Sequence, residues 1–255
     1  MTARTVLLIV CVIGNQCCFA DEPPTVVVET APAEVRAGLV GDDAPKVVFA
    51  VKSGDDQSLI LRRVFADLAL DPKAARLVVI VRPALSQSDR ARILRIAFDD
   101  LGVLAVYPAN NAVAALSGSG RFSGVALEIE TTYAESVPVN EHVVIHDAIR
   151  RIDIRDEVTP KMLAELVVDS INGCQCSSEL QDALFSNIVT YGSQGVQFEL
   201  EDAIRSGLHE IVQKNTRIKV IRPPESRHLV WAGASILASL STTQEVFVKR
   251  EAYNR

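Results

Sequence analysis

Few residues in this sequence have side chains that could do chemistry. There are five cysteines, four histidines and a pair of glutamates that each close a strand-like run. Thiolates and imidazoles would point to zinc if they came in short-spaced pairs. Cys11, Cys17, Cys18, Cys174 and Cys176 do not pair in that way, and the histidines are scattered. Free thiols are the reading that remains. The glutamates are Glu29, at the end of a strand-like run at 25–29, and Glu128, near the end of a second at 123–129. Each run continues through a loop into further strand-like runs, so the two acids hold like places in a two-fold repeat. A glutamate ending a strand is common, and the repetition alone decides nothing.

Composition bounds the rest. A chain of 255 residues can bury one substantial core or two lobes. With 48% hydrophobic and 23% charged residues it has the balance of a soluble globular protein. A formal charge of −6, with no basic patch interleaved with aromatics, argues against nucleic acid as a partner. No apolar run approaches the roughly twenty residues of a spanning helix. The N-terminal stretch 1–24 is an apolar leader. Arg4, the run 6–13, and Cys18-Phe19-Ala20 before Asp21-Glu22 read as a short secretory signal, or as an uncleaved leader before the first strand.

The elements that must position the glutamates follow from periodicity. Strands are expected at 25–29, 35–40 and 47–51, then a helix at 59–70 with Ile60, Val64, Phe65 and Leu68 on its apolar face. A strand at 77–81 leads to a helix capped by Ser88 or Asp89 and running to Leu101, with Ile93, Ile96 and Ala97 inward. A strand at 103–107 and a short helix at 111–116, closed by Gly118 and Gly120, end the first half. The strand set 123–129, 134–138 and 142–145 repeats the opening. Thr159-Pro160 starts a helix that Gly173 ends, with Met162, Leu163, Leu166, Val167 and Ile171 as its stripe. A strand at 187–191 and a turn at 192–195 precede a helix whose inward face is Leu200, Ala203, Ile204, Leu208, Ile211 and Val212, ending near Asn215. A strand at 218–221 then passes a Pro-Pro turn into an amphipathic helix at 231–240. Alternation of this kind predicts an α/β fold.

One string is far more specific than periodicity. Pro223-Pro224-Glu225, a basic residue, and the run Val230-Trp231-x-Gly233-x-Ser235-Ile236-Leu237-Ala238-Ser239-Leu240-Ser241-Thr242 resemble the C-terminal part of actins and actin-related proteins. The run 37–46 resembles the stretch after that family's first phosphate loop. Gly120-Arg121, Val137-Pro138, Ala148-Ile149 and Ile152-Asp153 fall where the family has like residues. The resemblance covers 26–53, 65–153 and 186–253. It implies an actin-like, ribonuclease-H-like fold of two lobes, reduced to subdomains 1 and 3. Residues 25–120 with 229–255 would form one lobe and 121–228 the other. The junctions near 53–63 and 155–176 would omit the outer subdomains 2 and 4.

The resemblance places the nucleotide site on Glu29 and Glu128, which would hold Mg²⁺ through water. Arg36 stands for the basic residue after the first loop, Glu130, Thr131 and Thr132 for the Gly-Asp-Gly of the second, and Gly192-Ser193-Gln194 for the adenine-side Gly-Gly-Thr. Arg227 stands for the basic residue after Pro-Pro-Glu. Asn111 and Glu135 occupy the places of the water-positioning glutamine and its neighbouring histidine. The loops are altered, however. Pro32 has no N–H to donate, Ala31 and Ala33 crowd the approach, and Glu130 adds charge where phosphate would need room. The expectation is therefore no bound cofactor and no ATPase turnover, with ATP and Mg²⁺ left only as what the family would supply. Gly120, Phe122, Ile236, Leu237, Leu240, Thr242 and Val246 match the groove in which actins receive binding proteins and the next subunit. The implied partners are actin or actin-binding proteins, and the implied location is the cytoplasm and cytoskeleton. Three other readings stay open: a small nucleotide-binding ATPase of this fold, a secreted protein re-using it, and a truncated product without a stable fold.

Overall fold

A computed structural model of the chain describes residues 22–52, 54–155, 157–193, 200–223 and 227–253. Residues 1–21 of the leader, with Cys11, Cys17 and Cys18, and Gln194, Gly195, Pro224 and Glu225 lie outside the described residues.

Two sheets are built on one plan. The chain opens with β1 (Thr25–Thr30), β2 (Glu34–Leu39) and β3 (Val47–Ala50), which form an antiparallel meander. Helix α1 (Gln57–Asp67), capped by Asp56, carries the chain to β4 (Arg76–Val81), which lies parallel to β1. Helix α2 (Gln87–Arg95) widens into a π-helical turn at Ile96–Leu101, and β5 (Ala105–Asn110) then pairs parallel with β4. Helix α3 (Asn111–Gly118) leads into the second sheet. There β6 (Gly124–Ile129), β7 (Tyr133–Asn140), β8 (Val143–Val144) and β9 (Arg150–Asp153) make the second meander, with β8 and β9 both on β7. Helices α4 (Pro160–Asn172) and α5 (Ser178–Phe185) return the chain to β10 (Ile188–Tyr191), parallel to β6. Helix α6 (Leu200–Ile211) precedes β11 (Val220–Ile221), parallel to β10. Helices α7 (Leu229–Ser239) and α8 (Ser241–Gln244) follow, then β12 (Val248–Lys249) closes back on β5, and α9 (Arg250–Tyr253) ends the described chain. The sheet orders are β12-β5-β4-β1-β2-β3 and β11-β10-β6-β7-β8. In each, the first strand of the hairpin sits between its hairpin partner and the next parallel strand.

The core has three parts. Helices α1 and α2 cover one face of the first sheet, and α4, α5 and α6 cover one face of the second. Between the sheets lie α3 and α7, packed among Val27, Val78, Ala126, Val189 and Tyr191. Strands β1 and β6 are buried on both faces, which is why they read as unbroken apolar runs rather than alternating ones. The two central helices touch through backbone. A Cβ on Gly233 would stand 1.8 Å from the carbonyl oxygen of Ala114, and one on Gly118 would stand 2.5 Å from that of Leu229. Trp231, fully buried, donates its indole N–H to the Val27 carbonyl at 3.2 Å and so ties α7 to β1. Loss of a buried ring of this size costs about 3–5 kcal/mol.

Several expectations need correction. Strand β5 runs to Asn110 rather than stopping at 107. Pro108 is tolerated because β12 covers β5 only at Ala105 and Val106, leaving one side of β5 without a neighbour there. The cap of α2 is Ser86, whose hydroxyl accepts the Asp89 N–H at 3.0 Å, and not Ser88 or Asp89. Met162 and Ile211 are exposed, so the apolar stripes of α4 and α6 are narrower than their sequences suggest. Helix α6 stops at Ile211, short of Asn215. Strand β9 and helix α5, rich in polar residues, gave no periodic signal.

Candidate functional site

The ends of β1 and β6 meet near the start of α3, and the strand-end acids gather there. Glu29 is buried, and its Oε1 lies 3.1 Å from Arg36 Nη1, directly across the first hairpin. Arg36 also bonds Glu34. Burial holds the Glu29 carboxyl above the usual range, only partly offset by Arg36, while Glu34 and Glu130 push it further up. Glu128, also buried, accepts from Asn111 Nδ2 at 3.3 Å across the junction between α3 and the second sheet. Burial, then Glu130 and Glu135, push Glu128 up to about 7 against opposition from Tyr133 and Arg82.

Glu135 faces Glu128 across the second hairpin and is raised by burial, with Arg151 at 3.7 Å and Arg82 acting against the rise. Tyr133 stacks under the Arg151 guanidinium at 3.8 Å and lies 5.4 Å from that of Arg82. The buried hydroxyl of Tyr191 and the buried Oδ1 of Asn111 have no hydrogen-bond partner among the described residues.

Glu29, Arg36, Asn111, Glu128, Glu130 and Glu135 are thus assembled in one place, together with Gly192 and Ser193. Thr131 points out from the hairpin turn, and Arg227 is exposed ahead of α7. The sequence reading missed Arg82, Tyr133 and Arg151. Arg151 was findable only through the register of β9, which sets it opposite Glu135.

In both loops, backbone donors that a phosphate chain would need are already used or missing. The Ala31 N–H is spent on the Glu34 carbonyl at 2.9 Å, and Pro32 has none. The Glu130 N–H goes to the Tyr133 carbonyl at 2.9 Å. Ser193 gives its N–H to Glu130 Oε1 at 3.2 Å and its hydroxyl to Oε2. These donors are committed to the protein's own acceptors, and the neighbouring carboxylates Glu29, Glu128 and Glu130 would repel phosphate. Among the described residues no group of three or more His, Cys, Asp or Glu side chains is arranged to hold a metal ion. Cys174 and Cys176 are free thiols, and burial lifts Cys174 to about 11, which leaves it unreactive.

A second feature lies beside the C-terminal end of α7. A groove of about 450 Å³ is lined by Tyr107, Pro108, Val113, His142, Leu237, Leu240, Thr242 and Val246, among others. Leu237 is buried at its base, whereas Leu240 and Val246 are 39% and 57% exposed. Phe122, 65% exposed, meets the His142 ring edge-on at 5.0 Å and so extends the apolar rim. Gly120 makes the exposed turn after α3, with φ +73. Ile236 does not line this groove. It is 48% exposed over a separate shallow depression with Gly41, Asp42, Ala232, Ser235 and Ser239. Consecutive helical residues diverge by about 100°, and Ile236 follows the i−4 and i+3 positions 232 and 239 rather than Leu237.

No helix among the described residues is long and apolar enough to cross a membrane. The sequence profile of the family Actin matches residues 49–158 and 154–255. An "Actin-like protein" of Neurospora crassa is 24% identical over 309 aligned positions, which take in 86% of this chain and 80% of that protein. The family profile spans most of the chain, and two mixed sheets of like order flanking a pair of closely packed helices are consistent with its fold. This chain belongs to the actin family.

Proposed function

We propose that this protein acts by protein–protein contact in an actin-type cytoskeleton, without turning over ATP, and that the groove beside α7 is its docking surface. The observation that carries the reading is the apolar rim of Phe122, Leu240 and Val246 standing exposed around a groove floored by Leu237. Isolated exposed apolar residues are ordinary, but several converging on one concavity suit an amphipathic helix or loop of a partner. Actin or an actin-binding protein is the partner, in the cytoplasm. The loss of free donors at the Ala31, Glu130 and Ser193 positions supports the second half of the proposal, since stabilising a phosphoryl transition state requires preorganised donors. With the outer subdomains 2 and 4 omitted, the chain would lack the opposite face that those subdomains offer the next subunit, so it would sit on one end of a filament but not propagate it, because head-to-tail growth needs both faces on every subunit. The test is elongation of actin filaments from seeds with blocked barbed ends. The protein is expected to slow growth, and unchanged growth at saturating protein refutes the reading.

A further inference from the structure

Glu130 belongs to the second hairpin, yet its side chain is held by another element. After β10 the chain turns through Gly192, whose φ of +93 is open to glycine at little cost. A Cβ at that residue would come within 2.7 Å of the Ile129 carbonyl oxygen and 3.1 Å of Glu130 Oε1. The turn can therefore press against the end of β6 only with glycine there. That approach aims both donors of the next residue at one carboxylate: the Ser193 N–H meets Oε1 at 3.2 Å, and the Ser193 hydroxyl meets Oε2. An N–H and an O–H converging from a left-handed turn make the kind of concavity that holds anions. Here the group it holds is buried and covalently part of the chain.

We infer that Glu130 is a built-in anion: its carboxylate occupies the donors of the Gly192–Ser193 turn, so the hairpin and the turn stay joined with no ligand bound. The inference goes beyond docking and does not depend on the groove, which is lined by other residues. It implies a fold whose stability is indifferent to nucleotide. It also implies a latent anion site that appears when the carboxylate is removed.

The experiment is thermal unfolding of the purified full chain with and without inorganic pyrophosphate or Mg-ATP at ~5 mM, where any ligand binding the folded state raises Tm. The wild-type Tm is expected to stay within about 1 °C under both additions, and a clear rise with either overturns the inference. Glu130→Ala should melt several degrees lower and recover part of that loss with pyrophosphate. A Glu130→Ala protein as stable as wild type overturns the inference. So does one that is destabilised and indifferent to pyrophosphate, because the carboxylate is then a hydrogen-bond partner and not a stand-in for an anion. Glu130→Gln keeps the size of the side chain and covers the case in which the alanine variant does not fold. Glu130→Gln and Ser193→Ala should each lower Tm, and the double variant should melt no lower than the worse single one. Additive losses would show that the two residues do not act as a unit, and the inference would fail. None of these results bears on filament elongation, so the docking proposal stands or falls separately.

Discussion

Glu128 and Glu135 stand directly opposite each other across the second hairpin, in the position where the first hairpin sets Glu29 against Arg36. The repeat is the same and the charge is not. In the first hairpin the buried acid has a cross-strand cation at 3.1 Å. In the second it faces a like charge, with Glu130 two residues on, and the Arg82 guanidinium only partly compensates. Like charges directly opposite on a sheet destabilise it.

That contrast gives a pH dependence with a definite sign. Glu128 titrates near 4.5 when unperturbed and near 7 in the fold. Between those values the folded state holds more protons than the unfolded one, so stability falls as pH rises from about 4.5 to about 7 and then levels. The groups facing Glu128 are Glu130, Glu135, Tyr133, Tyr191, Arg82 and Asn111. The upward shift of Glu29 acts in the same direction. The Glu128 share alone is about 3 kcal/mol. Glu128→Gln keeps an oxygen for the Asn111 N–H and should be more stable than wild type at pH 8, by up to about 3 kcal/mol, with a flatter profile. Urea unfolding at several pH values between 5 and 8 checks this, and an unchanged slope in the variant would count against it.

The contact of the two central helices is a second place to test. Gly233→Ala would favour helix by about 1 kcal/mol on propensity alone. Against that, its methyl would have to displace the Ala114 carbonyl from 1.8 Å. Backbone cannot give way as a flexible side chain does, so the variant should be destabilised by 3 kcal/mol or so despite its better propensity. Chemical denaturation of Gly233→Ala beside Gly207→Ala, a helical glycine of α6 whose added Cβ would come no nearer than 3.2 Å to another atom, separates the clash from a general loss of glycine. Equal, small effects would mean that the helices can part at little cost.

How much of this was legible in the sequence follows from what kind of signal each feature leaves. Strands β1 and β4 are β-branched runs and β6 is a largely apolar one, all buried over at least half of their length, and they were readable. Strand β9 was not, because Arg150 to Asp153 alternate half-buried and exposed with charges at every position but Ile152. Missing β9 hid the cation that pairs with Glu135. Glu29, Glu128 and Asn111 were placed by resemblance and by strand-end position. No pattern within residues 128–135 could reveal that the Glu130 side chain would be gripped by Ser193, some sixty residues on. The same limit applies to the groove. Leu237, Leu240 and Val246 share it, whereas Ile236 falls on another face of α7, and only the packing of that helix decides which face is which.

Phosphate release with Mg-ATP tests the proposal that the chain turns over no ATP. No release above the rate without protein is expected, and Glu128→Ala should not change it. The Ala31 and Glu130 N–H groups are already bonded within their own hairpins, so neither is free to meet developing charge on a transferred phosphoryl group. Release that depends on protein and is lost in Glu128→Ala would show a working site and refute the proposal.

The groove makes the sharpest prediction, because the end of α7 supplies a control in Ile236 and the residue that caps the helix, Leu240, supplies the test. Leu240 and Ile236 are four residues apart and similarly exposed, at 39% and 48%. Leu240 lines the groove between Tyr107, His142 and Val246, whereas Ile236 lines the depression beside Gly41 and Asp42. An aspartate at either position costs little folding stability, since both side chains reach solvent. At Leu240, however, it would place a charge where a partner's apolar side chain has to be desolvated, and an unpaired buried charge costs several kcal/mol in binding. Leu240→Asp should therefore abolish the slowing of filament growth from barbed-blocked seeds, and Ile236→Asp should leave it near the wild-type level. Val246→Asp, on the same rim, should follow Leu240→Asp. If Ile236→Asp alone relieved the inhibition, the contact would lie over Gly41 and Asp42, and the groove would not be the docking surface.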